Sequence, residues 1–294
     1  MLSDAFGLES NPFDGSLDPL SFYMGGPQRE AIARIEWLLE SRHRFGILTG
    51  DTGVGKSHLA SMAVRRLGAL SAETVLLPVR GLGEGDWLPM LLDRLPLEPE
   101  SREEPLRPWQ KLDDRLQENT LMERPTAIIL DDVDLAPADC LEGMARLVTS
   151  PEARHAGLLV VATTRHAGLA RMPKDRPSRA GVRVELTAWE EADVAGFIQS
   201  AVRRAGIERE LFQEPAIGTL ARLAGGVPRL VVKLAGLSLV AAAGEGLNVV
   251  DSARVEKAWR ELAAESESVG GGEGLVTGRV QAPARVRPVR RLWG

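Results

Sequence analysis

Eight consecutive residues constrain this chain more than anything else in it: Gly50, Asp51, Thr52, Gly53, Val54, Gly55, Lys56 and Ser57 satisfy the spacing G-x-x-x-x-G-K-[ST]. Glycines so placed let successive backbone N–H groups turn inward around an anion, and a helix starting directly after them adds the positive end of its dipole. The lysine supplies a point charge for the β- and γ-phosphates of a nucleotide, and the following hydroxyl is a ligand for Mg²⁺. His58, next in line, counts with the nucleotide-contacting run. Such a loop needs a strand before it and a helix after it. Residues 45–49 (FGILT) and 56–67 read that way. The lysine is also not a by-product of abundance, because only five of the 36 basic residues are lysines.

The strand–helix alternation continues. Apolar runs at 74–79, 126–130, 158–162 and 183–186 alternate with helix-like stretches around 87–95, 108–123 and 139–148. This pattern predicts an α/β fold with a parallel sheet covered on both faces. Before it, residues 28–39 place Ala31, Ile32, Ile35, Leu38 and Leu39 on one helical face. After it, Thr187-Ala-Trp-Glu190 has the spacing of a capping box and opens a helix to about Arg204, followed by helical patterns at 214–224, 228–243 and 252–265. The expected organisation is a lead-in and helix (1–43), an α/β nucleotide-binding domain (44–187), a small all-helical lid domain (188–267) and a disordered basic tail (268–294).

A phosphate-binding loop needs an acidic anchor on another strand. Ala127-Ile-Ile-Leu130 ends in Asp131 and Asp132. Asp131 is expected to hold Mg²⁺ through water, and Asp132 to orient or deprotonate the attacking water. Thr164 stands at the end of the 158–162 run. It is either an ordinary strand-end threonine or a hydrogen-bonding partner of the water or γ-phosphate. Arg229, in Gly225-Gly-Val-Pro-Arg229, reads by itself as a solvated arginine. One cysteine, Cys140, excludes an intramolecular disulfide and a cysteine-built metal site, and four scattered histidines do not form a metal cluster.

In this order the residues resemble an AAA+ P-loop ATPase of the ASCE type, and one branch in particular. Phe6-Gly-Leu8, Asn11-Pro-Phe13, Asp18-Pro19, Phe22-Tyr23 and Gln28-Arg-Glu-Ala31 look like the start of the general secretion pathway protein A (ExeA-like) family, and Leu211-Phe212, residues 224–230 and 241–246 look like its lid. The resemblance implies ATP and Mg²⁺ as ligands, self-assembly into a ring or filament, and nucleotide between subunits. It makes Arg229 the lid arginine, puts Thr164 near the sensor position of the core, and gives Arg179, with Arg176 and Arg183 close by, the place of an arginine that reaches a neighbour's γ-phosphate. Phe13 and Tyr23 either pack around adenine or staple the lead-in to the core. The family's Asp-Glu pair is Asp131-Asp132 here, which implies slow hydrolysis. The membrane helix and periplasmic region that often follow in this family are not expected here, where an arginine-rich tail stands in their place.

The leading expectation is an ATPase that drives an oligomeric conformational switch in secretion or pilus-type envelope machinery. The alternatives are a DNA-associated regulator of transposition or replication-initiator type, and a weakly hydrolysing nucleotide-binding scaffold. The net charge of −5 averages an acidic body and a tail with five arginines against one glutamate. That tail could dock on a protein partner or contact nucleic acid. No apolar stretch is long enough to span a bilayer and no secretory signal is apparent, so the expected location is the cytoplasm.

Overall fold

The apolar runs become strands β1 (Phe45–Thr49), β2 (Glu73–Pro78), β3 (Thr126–Asp131), β4 (Leu158–Thr164) and β5 (Gly181–Glu185). The computed structural model that shows them describes residues 5–15, 22–97, 107–149, 157–172 and 181–268. All pairings are parallel, in the order β2-β3-β4-β1-β5. β4 therefore lies between the strand before the glycine-rich loop and the strand that ends in the acidic pair. Leu48 pairs with Thr163 and Leu130 with Ala162, so the carboxyl ends of these three strands are flush.

Every residue of β1, β3 and β4 is buried, as expected of strands covered on both faces. The pleat divides them. Ile128 and Leu130 of β3 face helices α3 (Trp87–Leu92), α4 (Pro108–Leu121) and α5 (Ala138–Thr149), whereas Ala127 and Ile129 face α1 (Gly26–Glu40) and α2 (Lys56–Ala69). The apolar stripe read on residues 28–39 is the buried face of α1. Each fully buried leucine or isoleucine there contributes about 1.5–3 kcal/mol relative to exposure.

Helices α6 (Glu191–Arg204), α7 (Glu214–Ala224), α8 (Pro228–Gly244) and α9 (Ser252–Ser268) build a separate core. Phe6, Leu8 and Phe13 of the lead-in are buried in this helical core, while Phe22 and Met24 pack against the α1–α2 face of the sheet. The lead-in thus belongs to both cores. One expectation needs correcting: Thr187 does not cap α6. The helix starts at Glu191 with Glu190 as its N-cap, and Asp193 accepts the Glu190 N–H at 3.4 Å. Trp189 is kept out of the helix because its N–H is given to the Gly226 carbonyl at 2.8 Å. Residues 269–294, including the arginine-rich tail, lie outside the described residues, as do Arg176 and Arg179. Among the described residues no helix is long and apolar enough to cross a membrane.

Candidate functional site

The loop from Gly50 to Gly55 joins β1 to α2, and Gly55 caps the helix with φ of 100°. Lys56, the first residue of α2, is 7% exposed, and its Nζ donates to the Gly50 and Asp51 carbonyl oxygens at 2.9 and 3.0 Å. Burial pulls its pKa below the ordinary lysine value, against the opposing pull of Asp132, Asp134, Asp131 and Asp51. Gly53 has φ of 87°, and a Cβ there would stand 3.1 Å from Val227 and 3.2 Å from the Arg229 Cβ. Only glycine fits without strain. The Gly53 carbonyl accepts the Arg229 N–H at 3.2 Å, so the start of α8 rests directly on the loop.

The acidic pair stands across β4 from this loop. Asp131 is 6% exposed, and its Oδ1 accepts a short hydrogen bond from the Thr163 hydroxyl. The same hydroxyl accepts the Asp132 N–H at 2.9 Å. Asp132 has φ of 61°, in the left-handed region that aspartate tolerates better than most residues. Burial raises its pKa first, then the neighbouring charges of Asp131 and Asp134, while Lys56 and Arg80 work the other way. Asp134 is anchored by Arg165, whose Nε lies 2.6 Å from Oδ2, and the Asp134 carbonyl accepts from Arg171. The turn carrying Asp132 is thus clamped by arginines from the segment after β4.

A cavity of about 540 Å³ connects these groups, within the usual range for a small-molecule site. It is lined by the polar side chains of Lys56, Ser57, Asp132, Arg80, Arg165 and Arg229. Aromatic rings line it too: Phe13, Tyr23, Trp189 and Phe197. Phe13 stands edge-on to Phe212 at 5.8 Å, and Tyr23 edge-on to Trp189 at 5.6 Å. The two lead-in aromatics therefore staple the lead-in to the helical core and also wall the cavity. Val54 is buried, and Thr52, Gly53, Gly55 and His58 contribute to the cavity wall, His58 with its ring 4.7 Å from that of Phe22. Asp51 is exposed beside His166, Oδ1 to Nε2 3.9 Å.

Thr164 is fully buried, and its hydroxyl donates to the Arg165 carbonyl at 3.1 Å, whereas Thr163 touches the acidic pair. The register explains the difference. Asp131 lies one residue beyond the Leu130–Ala162 pair, level with Thr163. Side chains at one level of adjacent strands point to the same face. Arg183, on β5, donates to the Thr49 hydroxyl at 3.1 Å and meets His166 Nδ1 at 2.9 Å.

Residues 39–169 match the family model of the AAA domain. Over 252 residues the chain is 27% identical to general secretion pathway protein A of Aeromonas hydrophila, a match that covers 84% of this chain and 46% of that protein. Residues 39–169 are thus similar to an AAA domain, and the fold is that of the P-loop AAA+ neighbours. The chain spans about half the length of this curated relative. Among solved structures, Cdc6p from Pyrobaculum aerophilum superposes with a TM-score of 0.62 at 15% identity, covering 80% of this chain and 66% of that one. The ORC2 protein of Aeropyrum pernix gives 0.61 at 14%, covering 86% and 71%. At these identities the likeness is one of fold.

Several residues of this site carry weak signals in the sequence. Asp134 was visible as a third carboxylate in Asp131-Asp-Val-Asp134, but its ion pair with Arg165 needs the β4 turn to fold back. Arg80, just past β2, has no local signature at all, and Gln28, on the first turn of α1, shows only as part of the Gln28-Arg-Glu-Ala31 run. The oxygen-only donors Ser57 and Asp131 suit a hard cation such as Mg²⁺ that keeps most of its waters. Among the described residues no group of three or more His, Cys, Asp and Glu side chains is arranged to hold a metal alone, so such an ion would be shared with phosphate oxygens.

Proposed function

We propose that this chain binds Mg-ATP in the cavity and hydrolyses it, and that the two nucleotide states switch an oligomer used in assembling secretion or pilus-type envelope machinery. The observation that carries this reading is the convergence on one cavity of the Lys56 loop, Asp132 at the end of β3 and Arg229 at the start of α8, with cations and aromatic rings both in its wall. A polyphosphate with a flat ring fits that mixture of charge and aromatic surface. Lys56 would exchange its two loop carbonyls for phosphate oxygens. Ser57 and Asp131 would hold Mg²⁺, which neutralises the charge developing on the transferred phosphoryl group.

Asp132 orients the attacking water and takes its proton, a role that its raised pKa favours. Arg229 brings the helical part onto the phosphates, because its own backbone already rests on Gly53. Thr164 supports the turn after β4 from within, and Arg179 reaches the neighbouring subunit. The secretion context draws its support from the similarity to general secretion pathway protein A.

The test is ATP turnover by the purified chain, with particle mass followed by light scattering in ATP and in ADP. Lys56→Ala should weaken ATP binding about 100-fold or more, as expected for loss of a buried charged partner, and abolish the ATP-dependent mass change. Turnover equal to wild type in that variant would sink the reading.

A further inference from the structure

Gln28 is 2% exposed yet forms part of the cavity wall, beside Trp189. Its Oε1 accepts the Trp189 indole N–H at 2.8 Å. An indole nitrogen can only donate, so this bond decides which end of the amide faces Trp189. The NH₂ end, with two donors, is turned the other way. The bond to Trp189 is the one hydrogen bond this side chain makes among the described residues. The chain holds this amide firmly in place. A Cβ on Gly25 would lie 2.7 Å from Oε1 and 2.8 Å from the Trp189 nitrogen, so backbone presses on the pair from behind. Trp189 is itself packed by Tyr23 and Phe197.

We infer that Gln28 reads the base of the bound nucleotide, donating from its amide NH₂ to a ring-nitrogen acceptor of a purine. This rests on the cavity being the ATP site. Because the bond to Trp189 fixes which end of the amide carries Oε1, recognition runs through the NH₂ donors at the other end. Trp189 acts as a positioning residue for that amide and not as a contact to the nucleotide's acceptor edge.

Binding of ATP, 1-deaza-ATP, 3-deaza-ATP and 7-deaza-ATP to the full chain with Mg²⁺, measured by calorimetry, tests this. In the wild type one of the three analogues should bind about 3- to 10-fold more weakly than ATP, the size of one neutral hydrogen bond. In Gln28→Met, which keeps length and removes the donors, that gap should close. Trp189→Phe keeps a ring in place but frees the amide to turn, and should narrow the same gap even if Gln28→Met folds poorly. Equal binding of all four nucleotides to the wild type, or a gap that persists in Gln28→Met, overturns the inference. If ATP binding were instead insensitive to Lys56→Ala, the site reading itself would fail, which is a separate result.

Discussion

At the amino-terminal edge of the sheet, Glu73 of β2 is 8% exposed and held by Arg115, Arg124 and Asn119, with Arg115 Nε and Asn119 Nδ2 each 3.0 Å from Oε1. Asn119 also donates to the Thr126 hydroxyl at 2.9 Å, so the network closes on β3. Burial alone would raise the Glu73 carboxyl, but the bonds from Arg115 and Asn119 and the charges of both arginines outweigh it and hold the group below the usual carboxylate range. At the carboxyl edge the balance is reversed. Burial wins there, pulling Lys56 down and Asp132 up, towards their neutral forms. Both edges bury charge. One is satisfied by the chain itself and serves the architecture, while the other keeps groups off balance and ready to be stabilised by a charged ligand.

Several variants should separate the two edges. Asp132→Asn should lower ATP turnover about 10²–10⁴-fold, the range of a lost general base, with ATP binding and the denaturation midpoint kept. A loss of stability instead would place Asp132 with the structural edge. Glu73→Ala should do the opposite. Removing one partner of a buried ion pair costs about 3–5 kcal/mol, read by urea denaturation, while turnover per folded molecule stays near wild type.

Acidification sharpens the contrast further. The folded pKa of Asp132 lies above its ordinary 3.8, so kcat/KM, which reports the free protein, should fall as pH drops through that raised value. Protonating Asp132 relieves repulsion and does not destabilise the fold. Glu73 has the opposite sign, with a folded pKa below its ordinary 4.5. Its stabilising contribution is complete above the unfolded value and is lost only as pH falls through the lowered one. A pH window should exist in which the chain is folded but inactive, and coincidence of the activity and unfolding curves would contradict this. The smallest effect is expected where the acidic pair has its own internal partner. Thr163→Val removes both bonds of that hydroxyl and should cost about 1–3 kcal/mol of stability, with a moderate loss of turnover.

The strands and helices were largely legible because their apolar periods are strong. β1 and α7 begin and end at the residues where those patterns do, and the buried stripe of α1 is the one the 3.6-residue period marks. Capping was less legible: Glu190 and not Thr187 precedes α6, because a long-range bond from Trp189 to Gly226 settles the boundary. For the site, Lys56, Ser57, Asp131 and Asp132 were visible as motifs because each lies at a junction of local structure, the first two where the glycine-rich loop opens a helix and the last two where a strand ends. The roles of Thr163, Arg80, Arg165 and Gln28 were not, since they depend on which neighbour the fold supplies.

The sequence by itself determined that a glycine-rich loop follows a buried strand, that an acidic pair ends another, and that a helical segment comes after. Local backbone preference and hydrophobic period are properties of short stretches, so they can be read without knowing the fold. Only the tertiary structure decided that β4 separates the two motifs, that Thr163 and not Thr164 faces Asp131, and that Gln28 and Trp189, 161 residues apart, meet at the cavity. Those outcomes depend on strand order, on the parity of the pleat and on contacts between distant segments. None of these leaves a mark on nearby residues.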